Sequence, residues 1–228
     1  MNRVDAAWAI GRPVMGGPTA LLTRLHSYGQ DRVPRTGGVV IAFNHLSWID
    51  IPAFGWSSPR TVYFIAKAEA HAVPVAGAYL RLFGSFSVRR GESDREAVRR
   101  MREVVRSGEA LGVFVEGTRQ RSGIPGPVQP GAAMVALQED VPVVCAAING
   151  SREWKPGNFA PVSIAWGEPM RFSGLRAGAK GYREASTEIQ AELHRLWQWL
   201  VDLHKAGRPR DAVPPQAPVA RRAPVTLP

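Results

Sequence analysis

Cys145 is the only cysteine in the 228-residue chain. That excludes an intrachain disulfide and a cysteine-rich zinc site, and it suits a reducing compartment. No stretch reaches the roughly 18 uncharged apolar residues that a spanning helix needs. The longest weakly polar region, around residues 72 to 88, is interrupted by Pro74 and Arg81. Glycine and proline punctuate the first residues, so no compact apolar leader is expected. A P-loop, a dinucleotide fingerprint and a zinc spacing are also missing. Acidic residues are in short supply, 19 against 29 lysines and arginines, for a net charge of +10. Such a surplus favours nucleic acid, anionic membrane or a phosphorylated small molecule. The arginines are spread out with no aromatic-basic motif among them, which speaks against nucleic acid.

The length fits one domain of the larger sort with tails, and 45% apolar content is enough for a sizeable core. Residues 1–37 mix Trp8, Ile10, Leu21, Leu22 and Leu25 with arginines and glycines. They suit one or two short amphipathic helices, and packing on the domain and facing a membrane have equal support. Residues 38–206 carry the regular pattern. "GGVVIAF", "TVYFIA", "SFSV", "LGVFV", "VPVVCAAI" and "VSIAWG" read as strands. Helices are expected after Asp50, over about 68 to 82, from Ser93 to a stop at Gly108, over about 130 to 139, and over about 182 to 205. The last of these places Ile189, Leu193, Leu196, Leu200 and Leu203 on one face. Strands alternating with helices imply an α/β fold, a largely parallel mixed sheet flanked by helices. Residues 207–228, rich in Pro, Ala and Arg, are expected to be disordered.

Three loops follow strands of this sheet, and ligands gather outside the carboxyl ends of strands in open α/β sheets. The first runs from Asn44-His45 to Asp50, and a tight turn can fold Asp50 back onto the imidazole. The carboxylate would then fix the tautomer while the other nitrogen takes a proton from a hydroxyl. The spacing alone is explained more cheaply by a strand end followed by a helix that Asp50 caps. The second loop carries Arg89 and Arg90, which paired on a surface often only face water. The third, "FVEGTRQRSG", offers Gly117 for close backbone approach, the Thr118 hydroxyl, and Arg119 and Arg121 for phosphate, although taken alone it reads slightly better as a polar turn with a solvated ion pair. Glu116 beside such arginines suits organising the loop better than acting as a base. Ser47 lacks the glycine-flanked elbow of a nucleophile. Cys145, within an apolar strand, reads as a buried structural thiol. Asn149-Gly150-Ser151 reads as a turn rather than a glycosylation site. His71, His194 and His204 lie on expected helices without metal-ligand spacing.

Taken in order, "NHLSWID", "FGSFSVRRGE", "FVEGTRQRSG" and "VPVVCAAI" resemble the four blocks of the phospholipid/glycerol acyltransferase family, and the intervening "FIAKAEAHAVPVAGAYLRLFG" looks familial too. The match covers about residues 38 to 150 and is closest to the bacterial 1-acyl-glycerol-3-phosphate acyltransferases. It implies a glycerol-phosphate acyltransferase-like fold. It further implies transfer of a fatty acyl chain from an acyl-coenzyme A or acyl-carrier-protein thioester to the free hydroxyl of 1-acyl-glycerol-3-phosphate. The product would be phosphatidic acid, in phospholipid biosynthesis. Carried over by position, His45 would be the general base and Asp50 its orienting partner. Glu116, Gly117, Thr118 and Arg119 would bind the acceptor's phosphate and shape the site, with Arg89 and Arg90 assisting. No cofactor and no metal are implied beyond the thioester co-substrate. The implied partners are the thioester donor, a lysophospholipid and an anionic membrane surface, with the protein peripheral on the cytoplasmic side of the membrane. Val115 stands where the family usually has proline, Gln120 where it has serine, and Cys145 where a second proline is common. These departures spare the chemistry-bearing residues and leave the acceptor open. Other lysolipid or glycolipid hydroxyls suit the same His and Asp. Two further readings remain, a non-catalytic basic membrane-binding module and a thioester hydrolase using water.

Overall fold

A computed structural model describes residues 3–67, 72, 74, 77, 80, 85–88 and 94–217. Among the described residues seven strands form one sheet: β1 His26–Tyr28, β2 Val39–Phe43, β3 Val62–Lys67, β4 Phe86–Val88, β5 Ala110–Phe114, β6 Val143–Asn149 and β7 Ser163–Trp166. Their order across the sheet is β1-β7-β6-β2-β5-β3-β4. All neighbours are parallel except β6 and β7, as the largely parallel mixed sheet required. The helices are α1 Arg3–Gly11, α2 Gly17–Leu22, α3 Asp50–Ser57, α4 Asp94–Arg106, α5 Gly131–Glu139 and α6 Ala179–Lys205. A π-helical turn, Arg12–Gly16, joins the first two. In the segment expected to be helical over 68 to 82, the described residues 72, 74, 77 and 80 are helical.

The apolar runs become strands because helices cover both faces of the sheet. Val40, Ala42, Cys145 and Ala147 face a layer with Val135 of α5 and Ile189, Leu193, Leu196 and Leu200 of α6. The small side chains of β6 let that long helix lie close, and Cys145 is fully buried beneath it. Val39, Ile41, Phe43, Val144, Ala146 and Ile148 point the other way, toward Trp8 of α1 and Phe54 of α3. The Arg102 and Arg106 guanidinium groups both reach Glu139, tying α4 to α5.

Two expectations change. Residues 1–37 are not only helical, because β1 lies within them and pairs with β7. Residues 207–217 are packed rather than disordered. Arg208 and Ala217 are buried, and Arg32 donates to the carbonyls of Pro214 and Pro215 at 2.6 and 3.2 Å. The remaining tail, 218–228, lies outside the described residues. Among the described residues no helix is long and apolar enough to cross a membrane.

Topology places the site. The chain leaves β2 toward β3 and β4, returns as β5 beside β2, and then adds β6 on the opposite side. The carboxyl end of β2 therefore sits where the strand order reverses, the position at which α/β sheets open a crevice. Asn44 bridges the gap there, its side-chain nitrogen donating to the Ile148 carbonyl at 3.1 Å and its oxygen accepting the Ile148 amide at 2.8 Å.

Candidate functional site

β2 ends at Phe43, and the chain turns at once. His45 Nδ1 lies 2.8 Å from Asp50 Oδ2. The same oxygen accepts the amides of Leu46 and Ser47 at 2.7 and 2.8 Å. Those two amides are donors, so the oxygen is an acceptor and Nδ1 carries the proton of the shared bond, which in the neutral ring makes Nε2 the nitrogen with the lone pair. No described residue bonds Nε2, and 16% of the His45 side chain is exposed while Asp50 is fully buried. The imidazole also stacks on Phe114 of β5, with ring centroids 4.2 Å apart. Phe114 in turn packs with Phe43, Phe54 and Phe64, so an aromatic cluster backs the ring.

Asp50 occupies the first turn of α3, yet its carboxylate does not cap that helix. Oδ2 bonds backward along the chain, and Oδ1 is buried without a partner. The capping reading left open by the spacing is therefore not the one adopted.

Glu116 joins the loop after β5 to the loop after β2. Its Oε2 accepts the His45 amide at 2.8 Å and its Oε1 accepts the Gly126 amide at 2.7 Å. Gln120 donates its amide to the His45 carbonyl at 2.8 Å, so the His45 backbone is held from both sides. Burial pushes the Glu116 carboxyl above its ordinary value, opposed by the Gly126 and His45 amides. With both oxygens accepting backbone amides, this carboxylate ties the loop after β5 to the turn after β2. Gly117 has φ +69, the left-handed conformation that a side chain resists.

Gly117, Thr118, Arg119 and Arg121 are exposed beside this turn, and neither guanidinium meets an acceptor among the described residues. Arg89 and Arg90 lie outside the described residues. Sequence reasoning missed three neighbours from the loop after β6 and the turn after His45. The stem of Arg152 crosses Gly123, its Cδ 3.0 Å from where a β-carbon would stand, so a further cation reaches the "EGTRQRSG" loop. Trp48, 60% exposed, packs edge-on against Trp154 at 5.8 Å. The turn read at Asn149-Gly150 is present, with φ +87 at Gly150, and its own strand-end position was the available signal for Arg152. Among the described residues no three of His, Cys, Asp and Glu form a metal-ligand set.

The family model described as Acyltransferase matches residues 24–149, more than half of the chain. The chain is 28% identical over 145 residues to the 1-acyl-sn-glycerol-3-phosphate acyltransferase of Bacillus subtilis, covering 63% of this chain and 72% of that protein. It is 34% identical over 119 residues to the lyso-ornithine lipid O-acyltransferase of Pseudomonas aeruginosa, covering 52% of this chain and 45% of that one. The crystal structure of the 1-acyl-sn-glycerophosphate acyltransferase of Thermotoga maritima superposes with a TM-score of 0.67 at 24% identity, covering 83% of this chain and 78% of that one. That likeness bears on the fold.

Proposed function

The chain belongs to the acyltransferase family, and on that premise we propose that it acylates the free hydroxyl of 1-acyl-glycerol-3-phosphate from an acyl thioester, coenzyme A or carrier protein, yielding phosphatidic acid. One observation carries the reading: His45 is fixed through Nδ1 by a buried carboxylate while Nε2 is left unbonded. In the proposed step Nε2 takes the proton of the acceptor hydroxyl as its oxygen attacks the thioester carbon. The carbon–sulfur bond then breaks, and the leaving thiolate takes the proton back from the imidazolium. Asp50 stabilises the imidazolium in between. Arg119 and Thr118, with Arg121 and Arg152 close by, hold the acceptor's phosphate, and Arg89 and Arg90 assist. Glu116 and Gly117 shape the loop.

The test is an acceptor screen with acyl-coenzyme A, product read by mass, with thiol release expected only when acceptor is present. His45→Ala should lower turnover by orders of magnitude in a folded protein. Activity near wild type would remove the base from the mechanism, and thiol release without acceptor would favour a hydrolase. A lyso-ornithine lipid belongs in the same screen, because the 34% identity to the Pseudomonas protein favours it as a second acceptor class.

Peripheral lipid contact on the cytoplasmic side belongs to the same reading. Ile10, Val14, Met15 and Leu21 are exposed on the first two helices and the turn between them, while Trp8 and Gly16 pack inward, Gly16 against Trp56. Ile10→Ser with Leu21→Ser should weaken liposome flotation and spare turnover on a soluble short-chain acceptor; unchanged flotation would reject the contact.

A further inference from the structure

The far end of the same sheet edge carries a second cationic recess. Asn149 lies opposite Ser163 in the antiparallel pair, and Ser163 lies beside His26 in the parallel one. The starts of β1 and β7 therefore share the edge on which β2, β5 and β6 end. β1 is the third strand from β2, roughly 14 Å away at about 4.8 Å per strand. There a cavity of about 400 Å³ opens between the end of α2 and the residues after α6. Leu21, Arg24, Leu25, His26, Arg208 and Arg210 line it, and none of them belongs to the His45 site.

Arg208 is built into the wall. It is 8% exposed, and its Nε donates to Ser163 Oγ at 2.9 Å. Its Nη2 donates to the carbonyls of Arg24 and Val162 at 2.6 and 2.9 Å. Its Nη1 has no partner among the described residues. Arg24 and Arg210 are exposed, and their guanidinium groups likewise meet no acceptor there. No ion pair joins any of the three to a carboxylate among the described residues. The charge also acts, after burial, on two rings. Burial, then Arg208, Arg210 and Arg24, lower His26 from its ordinary value. Burial, then Arg208 and His26, pull His204 down to about 4.

Like charges converging on one recess repel, and a ligand of opposite charge removes that repulsion. Guanidinium groups match the paired oxygens of phosphate, and Arg208 is held in place before any ligand arrives. We propose that this recess is a second phosphate-binding site, taking a phosphate mono- or diester group through Arg24, Arg210 and the free edge of Arg208, separately from the His45 site. Leu21, 77% exposed at the rim, gives the group's apolar remainder a surface.

Inorganic phosphate titrated into the full chain, followed by the His26 ring signals in NMR, tests the site. A saturable shift is expected in the wild type and in Arg119→Gln, which weakens only the other site. Arg24→Gln with Arg210→Gln should weaken that shift by roughly ten-fold or more while acyl transfer in detergent stays unchanged. No saturable shift, or equal affinity in the double variant, overturns the proposal. Where phosphate does bind, vesicles of phosphatidylcholine with phosphatidylglycerol identify its source. The comparison is with Arg176→Gln plus Arg183→Gln, which removes the same charge elsewhere. Greater loss of vesicle binding in the recess variant assigns the site to a lipid headgroup. Equal loss in the two assigns it to a soluble phosphate ester. Either result leaves the site standing.

Discussion

Asp50 Oδ2 lies 2.8 Å from His45 Nδ1 and also accepts the amides of Leu46 and Ser47. One buried atom thus closes the turn after β2 and orients the ring. In Asp50→Asn the amide oxygen can keep the turn, but the charge that stabilises an imidazolium is gone. The amide nitrogen would occupy the place of Oδ1, which has no partner. For the proposed reaction, kcat should fall by roughly 10²–10⁴ with KM little changed. Steady-state kinetics beside circular dichroism checks this; wild-type kcat in a folded variant would remove the pair from the mechanism.

Glu116 acts on His45 through the backbone. In Glu116→Gln one of the two amide N–H groups would face an NH2 instead of an oxygen. That should cost about 1–3 kcal/mol of stability and lower turnover by displacing the His45 turn. The pH dependence has a definite sign. Burial raises the folded-state value of this carboxyl, so above the unfolded value of about 4.3 the folded chain holds more protons than the unfolded one. Stability conferred by the protonated form is full below that value and is lost as pH rises through the raised one. Denaturant titrations across the acid range should show this decline in the wild type and less of it in Glu116→Gln.

Arg119 is exposed and has no acceptor among the described residues, which suits a side chain waiting for a ligand. Arg119→Ala should raise KM for a phosphate-bearing acceptor by roughly ten-fold, with a smaller effect on kcat. Arg119→Lys should recover only part, since an ammonium cannot form the paired contact. If KM for such an acceptor did not move, the phosphate would have to be held elsewhere.

The strands that build the crevice were legible because β2, β5 and β6 are buried on both faces and so appear as continuous apolar runs. β1 was not: His26, Ser27 and Tyr28 show no alternation of their own, and their pairing with β7 comes from 137 positions further along (163 − 26). The tail to Ala217 was hidden for a related reason. Its Pro-rich composition says nothing of the Arg32 guanidinium that donates to the Pro214 and Pro215 carbonyls. At the site, the His45-to-Asp50 spacing was visible, but capping and orienting use identical residues, and only the direction of the carboxylate separates them. Glu116 was expected to answer its neighbouring arginines, yet its oxygens accept the His45 and Gly126 amides. Its partner Gly126 could not be read in advance, because that contact forms only when the loop folds over. Arg152 went unnoticed because the turn before it explained its surroundings.

His204 offers a stability measurement independent of catalysis. Its Nε2 meets Ser163 Oγ at 2.9 Å, and burial with Arg208 and His26 brings it to about 4. The unfolded imidazole titrates near 6.5, so between those values the unfolded chain binds a proton that the folded chain refuses. Stability from the neutral ring is complete above about 6.5 and is lost as pH falls toward 4, on the order of 1 kcal/mol once solvent screening of this half-buried group is allowed for. Denaturant titrations across that interval should show the decline, and His204→Gln, whose side-chain amide can donate to or accept from the Ser163 hydroxyl, should reduce it. His26, lowered from its ordinary value by burial and then by Arg208, Arg210 and Arg24, leaves a residual slope. An unchanged slope in His204→Gln would mean that burial beside Arg208 does not hold this ring neutral.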